Sequence, residues 1–288
     1  MFDVRETIER GIARLHAESN EAWFERSRAA AGSDKVPKVH VSDFDSCTRA
    51  AILSAVQAFP ENPRYRPPTE EMDLYTQSVM WSGREWEKEL SEILSAELGA
   101  SYSTSTALTV GPFTFEMDGL INHGNTDVTV VELKDTAEYN FQVRKRLPYR
   151  HHVVQLAAYK MLYRDFVHAT NPNAVIDAVL YYNGRGQWAQ FEVVFDDNFV
   201  YFDGHINNRA RKGEFEYSVP ERARELAEWA TKGELPPRLE SPFEMRFGCV
   251  RGNDKKGYYP NCKWARYCWP DMPDGPFPRN AMEEVVEW

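Results

Sequence analysis

The sequence lacks the long apolar segments of a membrane-spanning or secreted chain. Within its 288 residues no apolar run approaches the ~20 residues that a membrane helix needs. The first residues, Met1 to Glu6, contain no apolar core of a signal peptide. These features predict a cytoplasmic protein that does not contact a membrane.

The sequence also lacks an excess of positive charge. It contains 34 lysines and arginines against 44 aspartates and glutamates, which gives a net charge of -10. A protein coated with basic residues for nucleic-acid binding is therefore excluded, although a local basic groove is not. Hydrophobic residues make up 42% and charged residues 27%, so predominant disorder is also excluded.

Cysteine is scarce, and its placement is uneven. Three of the four cysteines lie within twenty residues near the C-terminus, and the fourth is near the N-terminus: Cys47, Cys249, Cys262 and Cys268. A cytosolic chain rarely keeps disulfides, so the clustering suggests a metal or iron–sulfur site. Four unrelated reduced cysteines would give the same count.

Hydrophobic periodicity predicts helices in the first third of the chain. Ser42 is the expected N-cap of a helix that carries Cys47 and runs to about Phe59. The other expected elements are a helix over 1–35, an extended segment over 36–41, a proline-rich loop over 60–70 and a helix over 72–98 that breaks near Ser82 and Gly83.

After residue 100 the period changes from 3.6 to 2, which predicts strands. The expected elements are strands 104–110, 113–118 and 127–134, a helix 150–166, strands 176–182 and 188–195 joined by a turn at 183–186, helices 197–211 and 219–231, and an irregular C-terminal segment. This order predicts an α+β fold with a central mixed β-sheet flanked by helices.

An acidic motif in the predicted meander is the most informative stretch. Alternation along a strand places Glu132 and Lys134 on one face, and Asp118 ends the preceding strand of the same meander. Converging carboxylates favour a divalent cation such as magnesium or manganese, and a nearby lysine can orient or deprotonate a water. A solvent-facing strand would also carry these residues.

Three neighbouring features fit the same interpretation. Glu87 in the preceding helix is a candidate third carboxylate, although a solvated helix face explains it equally well. Gln155 and Tyr159 share one helix face, either as ligand contacts or as a boundary between core and solvent. Local basic residues form either a phosphate-binding patch or a solvated loop: Arg144, Lys145, Arg146 and Arg150.

Together these motifs resemble the PD-(D/E)xK nuclease superfamily, and within it the RecB-type exonucleases. The match is to the iron–sulfur branch, which includes CRISPR-associated RecB-like exonucleases and phage relatives. It covers residues 40–270 and follows the family order: Cys47, Gly83 to Glu87, Asp118, Glu132-Leu133-Lys134, Gln155 to Tyr159, then Cys249, Cys262 and Cys268.

The resemblance implies a restriction-endonuclease-like core over 71–235. It also implies an N-terminal helical region over 1–70, and a C-terminal iron–sulfur segment with an acidic, proline-rich tail over 236–288. The four cysteines would hold a 4Fe–4S cluster that fastens the two ends of the chain together, with Zn²⁺ as the alternative occupant.

The resemblance also implies a role for each acidic-site residue. Asp118 and Glu132 would bind Mg²⁺ or Mn²⁺, with the Leu133 carbonyl as a further ligand, and Lys134 would activate water. Glu87 would stand where many relatives have a metal-binding histidine. Two more residues would complete the site and contact DNA: Gln155 and Tyr159.

The cysteine spacing departs from the family pattern. Twelve residues separate Cys249 from Cys262, where relatives often have two. This insert and its flanks are rich in lysine and arginine, including Lys255 and Lys256, and we expect them to guide single-stranded DNA.

The expected function is a metal-dependent exonuclease acting on single-stranded DNA or DNA ends in recombination, repair or CRISPR-type processing. One alternative is a weakly catalytic or non-catalytic DNA-end module in a partner complex. Its tail, Pro270 to Trp288, would then dock the partner, although the tail is equally consistent with a packed terminus. The other alternative is a zinc-stabilised structural protein.

Overall fold

The chain divides into two compact units. The computed structural model describes residues 4–33, 36–68, 74–124, 126–136, 141, 147–184, 186–239, 249–253, 257–260, 262–270 and 272. The larger unit is built from residues 40–45 and 78–227. The smaller unit contains the described parts of 1–39, 46–77 and 228–288.

An eight-stranded mixed sheet, seven of whose strands lie wholly in the larger unit, forms the centre of the fold. Its strands are β1 (Val39–His40), β2 (Tyr102–Val110), β3 (Phe113–Asn122), β4 (Val128–Asp135), β5 (Ile176–Gly184), β6 (Gln187–Phe195), β7 (Phe199–Ile206) and β8 (Arg209–Glu216). The order is β1-β3-β4-β5-β6-β7-β8, and β2 also pairs with β3. Strands β4 and β5 are parallel. The α+β class with a mixed sheet flanked by helices is confirmed.

The helices are α1 (Val4–Ala31), α2 (Thr48–Ala55), α3 (Leu74–Leu98), α4 (Arg150–His168) and α5 (Val219–Thr231). Short 3-10 turns span Val41–Asp43 and Gly99–Ser101. The smaller unit also contains β9 (Val250–Asn253), β10 (Gly257–Pro260) and α6 (Ala265–Cys268).

Helix α4 makes the crossover that the parallel pair requires. Two parallel neighbours cannot be joined by a tight turn, so the chain returns from the end of β4 to the start of β5 through this helix. Its buried face packs on β4, β5 and β6 and includes Val153, Val154, Leu156, Ala157 and Met161. The first turn of α4 therefore lies near the carboxyl ends of β4 and β5.

The predicted helix over 197–211 is wrong, because this segment forms the hairpin of β7 and β8. Its apolar residues alternate, with Val200, Phe202 and Ile206 buried on one face. Asp196 fixes the entry to β7, since its Oδ1 accepts hydrogen bonds from the backbone of Asn198 and Phe199 at 2.8 Å each.

Three other predictions, about where a helix begins, where one breaks and whether the C-terminal segment is irregular, are also wrong. Ser42 does not cap a long helix, because it lies inside the 3-10 turn and its backbone N–H donates to His40 Nδ1. Cys47 is the N-cap of α2 instead, and its Sγ accepts from Ala50 N at 3.3 Å. Helix α3 continues through Gly83 without a break. The C-terminal segment contains the antiparallel pair β9 and β10 rather than only irregular chain.

Across the described part of the chain, no helix is both long enough and apolar enough to cross a bilayer.

Two glycines allow a matched stability test. A β-carbon at Gly83 would meet no atom within 4 Å, so Gly83→Ala should raise the free energy of unfolding by up to ~1 kcal/mol through helix propensity. A β-carbon at Gly204 would overlap the backbone of Gln190 on β6, so Gly204→Ala should lower it by ~1–3 kcal/mol. Urea denaturation of both variants measures the changes, and equal effects would contradict the described packing.

Candidate metal and catalytic site

Three elements of the larger unit bring carboxylates around one lysine. Lys134 on β4 places its Nζ 2.6 Å from Glu132 Oε1, 3.6 Å from Glu87 Oε1 and 3.9 Å from Asp118 Oδ2. Glu132 comes from the same strand, Asp118 from β3 and Glu87 from α3. The structure therefore brings together the predicted acidic residues and the predicted lysine.

Asp118 on β3 is fixed by the neighbouring strand β4 and by a tyrosine of β2. Its Oδ2 accepts a hydrogen bond from Leu133 N at 2.7 Å. Tyr102 OH donates to the Asp118 carbonyl at 3.3 Å and lies 3.2 Å from Ser91 Oγ. Gly119 leaves room for this tyrosine, because a β-carbon there would overlap its ring. These contacts hold the carboxylate in one orientation.

Glu132 is the most buried member of the site. The residue is 1% exposed, and its Oε1 pairs with Lys134. Its other oxygen, Oε2, is buried and has no hydrogen-bond partner among the residues that the structure describes. A buried carboxylate oxygen without a partner is costly, and a bound cation would remove that cost.

The charge and the chemistry of the donor set fit a hard divalent cation. When a cation binds and all three carboxyls are ionised, they and the one ammonium carry a net charge of −2, and oxygen ligands suit Mg²⁺ or Mn²⁺. Within the described ranges, however, no three acidic, histidine or cysteine side chains are already arranged as a metal site. The lysine ammonium supplies the positive charge among these carboxylates.

Burial shifts the protonation of this site. Desolvation raises the pKa of Glu132 to about 8, with Asp118 adding to the shift and Lys134 opposing it. Desolvation also raises the pKa of Glu87 to about 7 against the effect of Lys134. For Lys134 burial alone lowers the pKa, but the three carboxylates outweigh it and the pKa rises. Lys134 is therefore an ammonium ion in the metal-free site.

Gln155 and Tyr159 form a linked pair on α4. Gln155 Nε2 donates to Tyr159 OH at 2.7 Å, and the tyrosine ring stacks on Phe115 of β3 with a centroid distance of 5.5 Å. Burial, and then Glu132, raise the pKa of Tyr159, so its hydroxyl stays protonated. Tyr159 is buried, which leaves the half-buried Gln155 as the member able to reach a ligand.

The predicted DNA-binding arginines are only partly described. Arg150 Nε donates to Asp45 Oδ1 at 3.3 Å, and the guanidinium lies over the Phe215 ring at 4.3 Å. Its charge is therefore engaged inside the larger unit. Several predicted residues lie outside the described residues: Arg144, Lys145, Arg146, Lys255, Lys256 and most of the tail from 270 to 288.

Sequence reasoning missed an aromatic cluster beside Lys134, which we define as Tyr149, His151, His152 and Tyr182. Tyr182 on β5 is the register partner of Lys134 on β4, so both side chains are on one sheet face. Tyr182 OH accepts a hydrogen bond from Tyr149 N at 3.1 Å and lies 2.9 Å from His152 Nδ1. The only signal in the sequence was the paired histidines at the start of α4.

The four cysteines lie in the smaller unit as thiols rather than disulfides. The pKa of Cys249 is raised to about 12, mainly by burial, with Cys47, Cys262 and Cys268 adding to the shift. The other three thiols are therefore each within electrostatic reach of Cys249. Cys262 N also donates to the Cys249 carbonyl at 3.3 Å, which links two distant sequence positions.

Two arginines border this group of thiols at Cys268. Burial raises the pKa of Cys268, while Arg49 and Arg238 act in the opposite direction. Arg238 Nη1 donates to the Cys268 carbonyl at 3.0 Å, and Arg49 Nη1 donates to the Pro236 carbonyl at 2.6 Å. Four gathered thiols with fixed positive charges beside them have the donor chemistry of a thiolate metal centre.

Comparisons with known proteins give little further information. The chain matches no protein-family model, and no curated protein matches it. A solved structure described as "Crystal structure of SSO0001" is similar at 15% identity and a TM-score of 0.42, with 89% of this chain and 98% of that chain covered.

The raised pKa of Glu132 predicts a pH-dependent stability. Above about pH 4.5 the unfolded chain releases this proton, whereas the folded protein holds it to about pH 8. The folded state binds more protons in this window, so the free energy of unfolding falls as pH rises. Relative to that of Glu132→Gln, the free energy of unfolding of the wild type should fall by ~1.4 kcal/mol for each unit by which the Glu132 pKa is raised.

Chemical denaturation at pH 5 and pH 8 without divalent cations measures this difference. Glu214→Gln on the exposed edge of β8 is the control, and its difference from wild type should not change with pH. A constant difference between wild type and Glu132→Gln at both pH values would contradict the prediction.

Proposed function

We propose that the chain is a metal-dependent nuclease that hydrolyses phosphodiester bonds of DNA as an exonuclease on single strands or DNA ends. The observation that carries the proposal is the convergence of Glu87, Asp118 and Glu132 on Lys134, with one buried oxygen of Glu132 left without a partner in the described structure. The order of the motifs, which resembles the RecB-type exonucleases, supports it.

Each side chain then has a distinct task. Asp118 and Glu132 would hold Mg²⁺ or Mn²⁺, with Glu87 and the Leu133 carbonyl as further ligands. The ion would polarise the phosphate and lower the pKa of the attacking water. The ammonium of Lys134 lies beside the carboxylates that would hold the ion. From this position Lys134 orients the attacking water and offsets negative charge on the phosphate.

The surrounding residues keep this arrangement in place. Leu133 N holds the Asp118 carboxylate, and Tyr159 holds Gln155 at the edge of the site. Pre-positioned groups of this kind lower the cost of reorganisation during the reaction.

The four cysteines would hold a 4Fe–4S cluster, with Zn²⁺ as the alternative. Their grouping in one unit and the two arginines beside Cys268 support a negatively charged metal–thiolate centre. Soft sulfur ligands suit iron and zinc, whereas the carboxylates suit magnesium and manganese.

The proposal predicts metal-dependent cleavage that requires Lys134. End-labelled single-stranded and duplex DNA should be shortened by anaerobically purified protein in Mg²⁺ or Mn²⁺ but not in chelator. Lys134→Ala and Asp118→Asn should each reduce the rate by ~10²-fold or more, because Lys134 acts on the water and the phosphate and Asp118 would hold the metal ion. The position of the label gives the polarity of digestion.

Two substitutions on the far strands serve as matched controls. Lys212→Ala and Asp203→Asn change the same residue types at paired, exposed positions of β8 and β7, and they should cleave like wild type. A folded, metal-loaded wild type that leaves both substrates intact would overturn the nuclease proposal in favour of a partner-dependent DNA-end module.

Removal of the thiolate centre should destabilise the smaller unit. Cys249→Ser should lose bound iron or zinc, measured by elemental analysis, and should lower the melting temperature, because such a centre ties distant segments together. Chelator treatment of the wild type should cause the same loss of metal and the same fall in melting temperature. Chelator should not lower the melting temperature of Cys249→Ser any further. Wild type that binds neither iron nor zinc after anaerobic purification would contradict the metal centre.

A further inference from the structure

The aromatic cluster at the start of α4 is built in two layers. Tyr182 is wholly buried, and its hydroxyl contacts Tyr149 N and His152 Nδ1. Above it, the rings of Tyr149 and His151 stack at 5.7 Å with an interplanar angle of 22°. The His151 and His152 rings meet edge to face at 4.1 Å. The lower layer therefore fixes the position of the upper one.

The upper layer is open to solvent. His151 is exposed and Tyr149 is half-buried. The cationic neighbour Arg150 pairs with Asp45 and lies over the rings of Phe215 and Tyr217. The stack of Tyr149 and His151 is therefore partly open to solvent.

This stack lies at the same end of the sheet as the acidic site. Tyr182 and Lys134 are register partners on the parallel strands β5 and β4, so their side chains emerge side by side. The positive charge of Lys134 also reaches both histidines, since it contributes to lowering the pKa of His151 and of His152 after burial. A phosphate bound at Lys134 would therefore lie at the same end of the sheet as these rings.

We propose that Tyr149 and His151 form a stacking platform for the unpaired nucleobase next to the phosphate bound at Lys134, which makes single-stranded ends the substrate of this site. This inference rests on the proposed nuclease function. Aromatic side chains that stack on successive bases are a general means of binding single strands without reading their sequence. A base inside a duplex has both faces covered, so it cannot use the platform.

The test measures stacking directly and without cleavage. A single-stranded oligonucleotide carries the fluorescent base 2-aminopurine at its terminal position and is titrated with wild-type protein without added Mg²⁺ or Mn²⁺. Stacking on a ring quenches this fluorophore. His151→Ala should abolish the quenching and weaken binding about tenfold, whereas His151→Phe should retain both because it keeps a flat ring.

The controls separate this role from a structural one. His205→Ala removes an exposed histidine from β7 and should bind and quench like wild type. The melting temperature of His151→Ala should match that of wild type, because the side chain is exposed. With Mg²⁺ present, His151→Ala should raise KM for single strands more than it lowers kcat. If His151→Ala quenches and binds like wild type, the platform is overturned.

The outcomes for the platform and for the nuclease can be told apart. Quenching that depends on His151, without any cleavage by wild type, would support the platform and overturn the nuclease. Cleavage by wild type that His151→Ala leaves unchanged, with unchanged quenching, would support the nuclease and overturn the platform. Equal loss of binding to blunt duplex and to single strands in His151→Ala would also overturn the preference for unpaired ends.

Discussion

The pairing of Lys134 with the buried Glu132 is the interaction on which the rest of the larger unit's site depends. A carboxylate that is 1% exposed is costly to ionise, and the ammonium 2.6 Å away offsets only part of that cost. Asp118 and Glu87 then add negative charge rather than removing it. Well-packed apolar residues at these positions would often be at least as stabilising as the buried charges. Three carboxyl groups converge here instead, and a bound divalent cation would favour their ionised form, which supports the proposed metal site.

The parallel pairing of β4 and β5 extends this site beyond the carboxylates. A parallel pair requires a crossover, and α4 supplies it with its first turn near the carboxyl ends of both strands. The same helix therefore delivers Gln155 and Tyr159 towards Glu132, and the aromatic cluster towards Lys134. One topological feature thus places the acidic residues, Lys134 and the aromatic cluster at a single end of the sheet.

The parts of the site that the sequence predicts are those with local geometry. Alternation on β4 and the short connection between β3 and β4 are enough to bring Asp118, Glu132 and Lys134 together. The neighbour Tyr182 follows only from the long-range register of β4 with β5, which no local pattern contains. The β7–β8 hairpin was mistaken for a helix because its charged residues obscure the alternation of Val200, Phe202 and Ile206. The predicted helix start at Ser42 is wrong because this segment forms a 3-10 turn first, and helix α2 begins only after the Cys47 N-cap.

The two candidate metal centres differ in their ligand atoms and in the charged residues beside them. In the larger unit, the hard oxygens of three carboxyl groups surround a single lysine, and full ionisation would leave an excess of negative charge. In the smaller unit, thiols that burial keeps protonated have Arg49 and Arg238 beside Cys268, so positive charge is present before any thiolate forms. Ionisation of the thiols is then favoured when a soft metal binds, whereas a magnesium ion gains little from sulfur. Ligand softness and local charge would then act in the same direction, so each proposed centre would favour its own metal.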